Sequence, residues 1–561
     1  MGLYTGSHLV IQCLQKEGIK RIFTLVGDTI LPLVDACADE GMELVDTRHE
    51  AAAVAMADAW CRLTSEPSVV MVTGGPGFSN AISGLPNVFT SESPVIFIAG
   101  ASELAEHGMY SFQEIDQISM AKPVTKGAWI INHTNKIPSM VSKAFKTALS
   151  GRPGPVHLTI PVDVQEMSLS PDDLYPYDGG DQTHKRENPG DPQLIGQAIT
   201  LLSQSTQPII IAGNACHYSA TPQDMKDLVE STGIPIFTLE QSRGLLPDSH
   251  SLCFGYPDTA LNSAGSHIRE SDGILLLGKR LDHRFKYGRP PFFLPTAKIV
   301  QVDPDPTEIG FNRDVNIGIL GDIGTVARQL STAAKLISWP NFGAWTKALR
   351  KSHKQHRISL ISKANEDTPL HPMQIFKEVE PLIDKDSILI FDGGDYVQWG
   401  RGYLLAEKPG RWMRLGPLAH LGKGLPYALT ARLAHPEAKI FLFMGDGSLG
   451  FYLMEFDTAI RHGLPFVTIL GNDSLWGIDH SYQLAYYGRS LNTTLRTIRY
   501  DNVIKSIGGH GEHVETADQI RPAVERALTS KKPSLIDITI RSARSPLADA
   551  AISAKQRVKR I

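Results

Sequence analysis

The chain has 561 residues, of which 42% are apolar and 20% charged, with a formal net charge of −4. That length exceeds what one hydrophobic core supports and points to about three domains. The near-neutral charge excludes bulk electrostatic attraction to nucleic acid or an anionic membrane, and no apolar run approaches the roughly 18–20 residues that span a bilayer.

The opening residues pass directly into an amphipathic pattern, His8 to Glu17, without the apolar segment of a signal peptide. Cys13, Cys37, Cys61, Cys216 and Cys253 stand singly, with no CxxC spacing. A cytoplasmic protein with reduced, buried thiols is expected.

Three blocks follow, each alternating short apolar runs with helical patterns, as parallel α/β sheets do. The first has strand-like runs at Arg21–Val26, Glu43–Thr47, Ser68–Thr73 and Pro94–Ala99, with helical stretches starting near Thr29, Glu50 and Phe78. A polar, Pro- and Gly-containing stretch, Ser170 to Pro192, reads as a linker. The second block has runs at Pro208–Ala212, Pro235–Thr238, Gly273–Leu277 and Lys298–Val302, and a charged helical connection covers Ala333 to Pro369. The third has runs at Ser387–Phe391, Lys439–Met444, Pro465–Leu470 and Leu535–Ile540. The expected fold is α/β, with three doubly wound parallel-sheet domains over residues 1–169, 190–335 and 366–545. Residues 546–561 are expected to form a frayed, basic tail.

The segment Lys439 to Gly477 carries the most chemistry. An apolar run ends at Met444, and Gly445-Asp446-Gly447-Ser448 follows. Leu453, Phe456 and Ile460 then repeat with helical spacing up to a stop at Gly463, and a second apolar run ends at Gly471-Asn472-Asp473. This is a βαβ unit, whose right-handed crossover sets its two strands side by side. Asp446 and Asp473 would then leave the carboxyl ends of neighbouring strands, where α/β sheets bind ligands. Two hard oxygen ligands beside free helix-terminal amides suit Mg²⁺ holding a diphosphate. Gly447 permits close backbone approach, and Ser448 is expected to cap the helix while touching a phosphate oxygen. A lone Gly-Asp-Gly is also common turn chemistry; the strand, the helix and the downstream Asn-Asp favour the ligand reading.

This segment resembles the motif of thiamine-diphosphate (ThDP) enzymes, which opens with Gly-Asp-Gly and closes with Asn-Asn. The resemblance implies Asp446, Asp473 and the carbonyl of Leu475 as Mg²⁺ ligands, with Asp473 standing where many members have Asn. It further implies cofactor contacts from Gly445, Gly447, Ser448, Asn472, Trp476, Gly477 and Ile478. Asp392-Gly393-Gly394-Asp395 resembles the second diphosphate loop, giving Gly393, Gly394 and Asp395 as contacts. In Ala419-His420-Leu421-Gly422, Ala419 is a further contact, and Leu421 matches the bulky wedge that bends the cofactor; its alternative is core packing.

In the first block, Glu50 opens an Ala-rich helix directly after a strand, where an acid also complements the helix dipole. The family places there the glutamate that hydrogen-bonds the aminopyrimidine ring and promotes ylid formation. Thr73-Gly74-Gly75-Pro76-Gly77 and Asn80 match its Gly-Pro-Gly turn, so Gly75, Pro76 and Asn80 are implied contacts. The likeness runs along essentially the whole chain and implies active sites shared between subunits of a homodimer or homotetramer.

Within the superfamily, the chain is most similar to the branch of acetolactate synthase, benzaldehyde lyase and 2-hydroxyacyl-CoA lyase. Ser111-Phe112-Gln113-Glu114 resembles their shared loop, in which the glutamine, here Gln113, reaches the pocket; a solvated loop amide is the alternative. Glu455-Phe456-Asp457-Thr458 is also similar to benzaldehyde lyase. Asp28 follows Val26-Gly27 and reads either as a proton relay near the thiazolium or as a cap of the next helix. The central block lacks the Gly- and Met-rich stretch set against FAD in acetolactate synthases, so flavin is not expected.

The expected activity is ThDP- and Mg²⁺-dependent cleavage or formation of a C–C bond, by acyl-anion chemistry on small 2-oxo acids or 2-hydroxy ketones. Alternatives are a 2-hydroxyacyl-CoA lyase or oxalyl-CoA decarboxylase-like enzyme, a simple 2-oxo acid decarboxylase, and a non-catalytic ThDP-binding subunit.

Overall fold

The computed structural model describes residues 4–169 and 187–558, so most of the expected linker lies outside the described residues. The described chain forms two compact units. The first comprises the described parts of residues 1–186 together with 415–434 and 452–462; the second takes 187–414, 435–451 and the described part of 463–561.

In the first unit, β1 (Tyr4–Thr5) pairs antiparallel with β8 (Ser168–Leu169). Its main sheet contains β2 (Arg21–Leu25), β3 (Glu43–Asp46), β4 (Ser68–Val72), β5 (Val95–Ala101), β6 (Gly127–Ile130) and β7 (Val156–Pro161). All are parallel, in the order β3-β2-β4-β5-β7-β6. Every residue of β4 and β7 is buried, as expected for strands with helices on both faces.

The second unit holds two parallel sheets. One has β9 (Pro208–Ala212), β10 (Ile236–Thr238), β11 (Gly273–Leu277), β12 (Lys298–Asp303) and β13 (Ile317–Leu320), in the doubly wound order β10-β9-β11-β12-β13. The other has β14 (Ile388–Asp392), β15 (Trp412–Arg414), β16 (Ile440–Gly445), β17 (Val467–Asn472), β18 (His510–Val514) and β19 (Ser534–Thr539), ordered β15-β14-β16-β17-β19-β18. Counting strands within each sheet, this repeats the winding of the first unit's main sheet. Three parallel α/β sheets therefore match the expected fold class.

The expected runs correspond to strands within two residues at each end. Those left unread were short or interrupted by polar residues. β15 has three residues, β18 reads His-Gly-Glu-His-Val, and β7 contains His157. His157 is fully buried, its ring nitrogens bonded to the Phe97 carbonyl and the Thr159 hydroxyl. Burial lowers its pKa to about 3, so it acts as a neutral core residue.

Two expectations need correction. The expected tail is a helix over Pro546–Val558. Ala548 and Ile552 bury one face of it, Ser545 N–H donates to Asp395, and the Ala548 amide donates to the Ser545 hydroxyl. The helix expected after Gly445 is two helices, Asp446–Tyr452 and Glu455–Arg461. Ser448 therefore lies inside the first turn and does not cap it.

Candidate functional site

The first unit gathers one group of expected site residues at the carboxyl ends of β2, β3 and β4. Glu50 opens the helix Glu50–Thr64, whose N-cap is His49: the ring Nδ1 accepts from the Ala51 amide. Glu50 is 8% exposed and accepts from Asn80 Nδ2 at 3.0 Å. The next turn is pinned by threonines: the Thr29 amide donates to Thr73 Oγ1, and the Gly74 amide donates to Thr29 Oγ1.

Gly75 has φ 56°, in the region glycine tolerates best. Pro76 starts the helix Pro76–Ile82, which carries Asn80. Gln113 is half-buried, has φ 61°, and its buried Oε1 has no hydrogen-bond partner among the described residues. A Cβ on Gly75 would lie 2.5 Å from the Gln113 carbonyl oxygen. The structure thus seats Gln113 on the Gly75 turn, which sequence spacing alone does not show.

Asp28 is exposed and begins the short 3₁₀ turn Asp28–Ile30. The N-cap of that turn is Gly27, and the N-cap of the following helix is Ile30. Its carboxylate caps neither element, so the capping alternative fails. Ala419 (φ 57°) and half-buried Leu421 stand in the loop before the helix Gly424–Ala434. Leu421 is absent from the buried core, against the packing alternative.

The second unit gathers the other group. Gly445 and Gly471 pair across adjacent parallel strands β16 and β17, so Asp446 and Asn472-Asp473 emerge side by side, as the βαβ reading required. Burial raises the Asp446 carboxyl to about 6, against amide donors on Gly447 and Ser474. Burial and then the Asp446 charge raise Asp473 to about 7, with Asp395 adding to the shift. Asp395 Oδ1 accepts from Ser545, while its buried Oδ2 has no hydrogen-bond partner among the described residues.

Glycines keep this edge clear of side chains. A Cβ on Gly447 would lie 2.7 Å from the Trp476 ring, one on Gly394 2.8 Å from Ile478, and one on Gly477 3.4 Å from Asp473. Gly393, at φ 142°, approaches the Gly445 amide and the Ser448 hydroxyl. Leu475 follows Ser474 (φ 56°) in the turn before the helix Gly477–Tyr487.

Buried Asp446 and partly buried Asp473, whose carboxyl the Asp446 charge raises, stand beside a third carboxylate with an oxygen unpartnered among the described residues, a donor set suited to a hard divalent cation. Close glycine backbone at the start of the helix Asp446–Tyr452 suits a diphosphate. The residues present therefore fit ThDP with a divalent metal.

Sequence reasoning missed Asp537. It is buried in β19 and accepts from Asn472 Nδ2 at 3.0 Å and from the Tyr500 amide at 2.9 Å. Its signal was an acid inside the apolar run Leu535-Ile536-Asp537-Ile538. Asp537 also clusters with Asp501 and His513. Asp501 is already paired to Arg499 and Lys505, so that group reads as an ion-pair network.

Comparison with known proteins places the chain in a family. Residues 4–120 match the N-terminal TPP binding domain of thiamine pyrophosphate enzymes, 195–330 their central domain, and 392–538 their C-terminal TPP binding domain. A probable acetolactate synthase of Mycobacterium bovis is 31% identical over 95% of each chain. A 2-hydroxyacyl-CoA lyase 2 of Danio rerio is 31% identical over 93% of this chain and 89% of its own. A probable acetolactate synthase large subunit of Methanocaldococcus jannaschii is 29% identical over 95% and 92%. The chain belongs to the thiamine pyrophosphate enzyme family, in the branch of acetolactate synthases and 2-hydroxyacyl-CoA lyases. It is a ThDP-dependent enzyme.

Proposed function

We propose that the protein is a ThDP- and Mg²⁺-dependent lyase or carboligase acting on small 2-oxo acids or 2-hydroxy ketones. The observation that carries this reading is the coexistence of buried Glu50 beside the Gly75 turn with buried Asp446 and partly buried Asp473 side by side at their own sheet edge. The first is what activation of the cofactor needs, and the second is what its retention needs.

When bound, ThDP supplies a carbon nucleophile that adds to a carbonyl and stabilises the acyl carbanion left by C–C cleavage. Asp446, Asp473 and the Leu475 carbonyl would hold the metal, and Gly393, Gly394, Ser448 and Gly477 would line the diphosphate. Glu50 keeps a proton available to the aminopyrimidine. Asp28, exposed and uncapping, is placed to pass protons during decarboxylation or product release. Gln113 offers an unpartnered amide oxygen to a polar substrate or water. The assembly is a homodimer or homotetramer in which the cofactor lies between subunits, and flavin is not required.

The relatives leave the thioester question open in a useful way, because one of them is named for cleaving 2-hydroxyacyl-CoA. Incubation of the ThDP- and Mg²⁺-loaded protein with pyruvate, acetoin, benzoin, oxalyl-CoA and a 2-hydroxyacyl-CoA tests the reading by product analysis. Turnover of pyruvate, acetoin or benzoin supports it. Turnover of the thioesters alone moves the assignment to an acyl-CoA lyase or decarboxylase. Full cofactor binding with no product from any of them would identify a non-catalytic subunit.

A further inference from the structure

The short helix Glu455–Arg461 lies in sequence between Asp446 and Asp473, yet it belongs to the first unit, packed against the turn that launches Glu50. Glu455 is 1% exposed, and among the described residues no cationic side chain forms an ion pair with it, although the Arg461 charge acts on it from a distance. Its two oxygens accept from the Arg48 backbone amide at 3.1 and 3.3 Å, and the Thr458 hydroxyl donates to Oε2 at 2.6 Å. Burial raises the Glu455 carboxyl despite the Thr458 hydroxyl, the Arg48 amide and the Arg461 charge, and burying a carboxylate without a contacting cation is costly, which points to a role for it.

Helix capping is not that role. His49 already caps the helix Glu50–Thr64, whereas Glu455 grips the residue before the cap. From the sheet side, the Thr47 amide donates to the Thr24 carbonyl and the Thr47 hydroxyl to the His49 carbonyl. Ion pairs flank the same contact: Arg461 and His462 meet Asp46, and Arg48 meets Asp457. The His49 ring also lies edge-on to Tyr452, 5.6 Å between centroids.

We propose that Glu455 is a positioning residue for Glu50: its buried carboxylate clamps the Arg48 amide, fixing where the Glu50 helix starts and so where the Glu50 carboxylate stands. The inference rests on Glu50 being the activating acid. It makes the segment between the two metal-side aspartates a support for the group that acts on the cofactor's aminopyrimidine ring. Displacing a reactive group slightly is enough to lower a rate without unfolding the protein.

The test uses the full chain as Glu455→Ala, Glu455→Gln and Glu50→Gln. In the cofactor-free protein, deuterium exchange of peptides covering Asp46 to Ala51 should quicken in Glu455→Ala by roughly tenfold or more, the scale of one charge-assisted hydrogen bond. In the ThDP- and Mg²⁺-loaded protein, kcat and cofactor C2-proton exchange should fall together by about 10–10²-fold, with ThDP affinity and KM changed little. Glu455→Gln keeps an oxygen for the Arg48 amide and should recover most of both losses.

Wild-type kcat in Glu455→Ala, or a Gln variant as impaired as the Ala variant, overturns the proposal. Loss of exchange in Glu50→Gln alongside a normal Glu455→Ala rejects the clamp alone. Normal exchange in Glu50→Gln rejects the role of Glu50 and the clamp with it. If Glu455→Ala does not fold, Thr458→Val, which removes the hydroxyl donor to Oε2, should lower kcat about threefold, the scale of one neutral hydrogen bond; no change there also overturns it.

Discussion

Gly75 and Gln113 meet backbone to backbone: both have positive φ, and the space a Gly75 Cβ would need is filled by the Gln113 carbonyl. The turn proposed to face the cofactor and the loop proposed to face the substrate are thereby in direct backbone contact.

Gly75→Ala should therefore cost about 1–3 kcal/mol from backbone strain alone and displace the Gln113 loop. Turnover should fall more than thermal stability. Measurement of kcat and the melting temperature together checks this; a stability loss with unchanged kcat would separate the turn from the substrate loop.

Glu50→Gln keeps size and the Asn80 contact but removes the exchangeable acid. ThDP binding and folding should persist, while C2-proton exchange and turnover fall together by about 10²–10⁴-fold. Deuterium exchange at C2, read by NMR after acid quench, is the assay. Wild-type exchange would leave Glu50 as a helix-start residue only.

The metal-side aspartates give a pH prediction with a definite sign. Asp473 stands at about 7 in the metal-free fold against an ordinary 3.8, and Asp446 at about 6. The folded state binds more protons than the unfolded state between these values. The pair's contribution to stability is complete below about pH 4 and is lost as pH rises through about 6 to 7. Melting temperatures of metal-free protein should show this decline, and Asp473→Asn should flatten it. Mg²⁺ with ThDP should stabilise most on the alkaline side. An unchanged pH slope in Asp473→Asn would contradict the coupling.

Asp446→Ala removes one of the two charges that would hold the metal. The fold should survive, since this carboxylate is a stability burden near neutral pH, while Mg²⁺-dependent ThDP affinity should fall at least tenfold. Calorimetry with unchanged affinity would reject Asp446 as a ligand.

Asp28→Ala should leave the unfolding free energy within about 0.5 kcal/mol of wild type, as for an exposed residue outside any cap. It should slow a protonating or decarboxylating step far more than it weakens ThDP binding. A variant that loses stability but keeps its rate would restore a structural role.

Much was legible in the amino-acid sequence because it depends on local pattern. Fully buried parallel strands such as β9 and β11 are continuous apolar runs, and their bounds were read without error. Gly-Asp-Gly and Asn-Asp at the ends of two such runs located Asp446 and Asp473, since a βαβ crossover has one favoured hand. Glu50 was visible because a strand and an Ala-rich helix meet there. Other features depended on which distant segments touch. The break between Tyr452 and Glu455, the seating of Gln113 on Gly75, the failure of Asp28 to cap and the burial of Asp537 against Asn472 leave no periodic trace. A buried acid has the same local pattern whether its partner is a backbone amide three residues away or, as for Glu455 and Arg48, one several hundred residues earlier in the chain. Only packing, which satisfies each buried polar group with whatever donor the fold delivers, decided those partners.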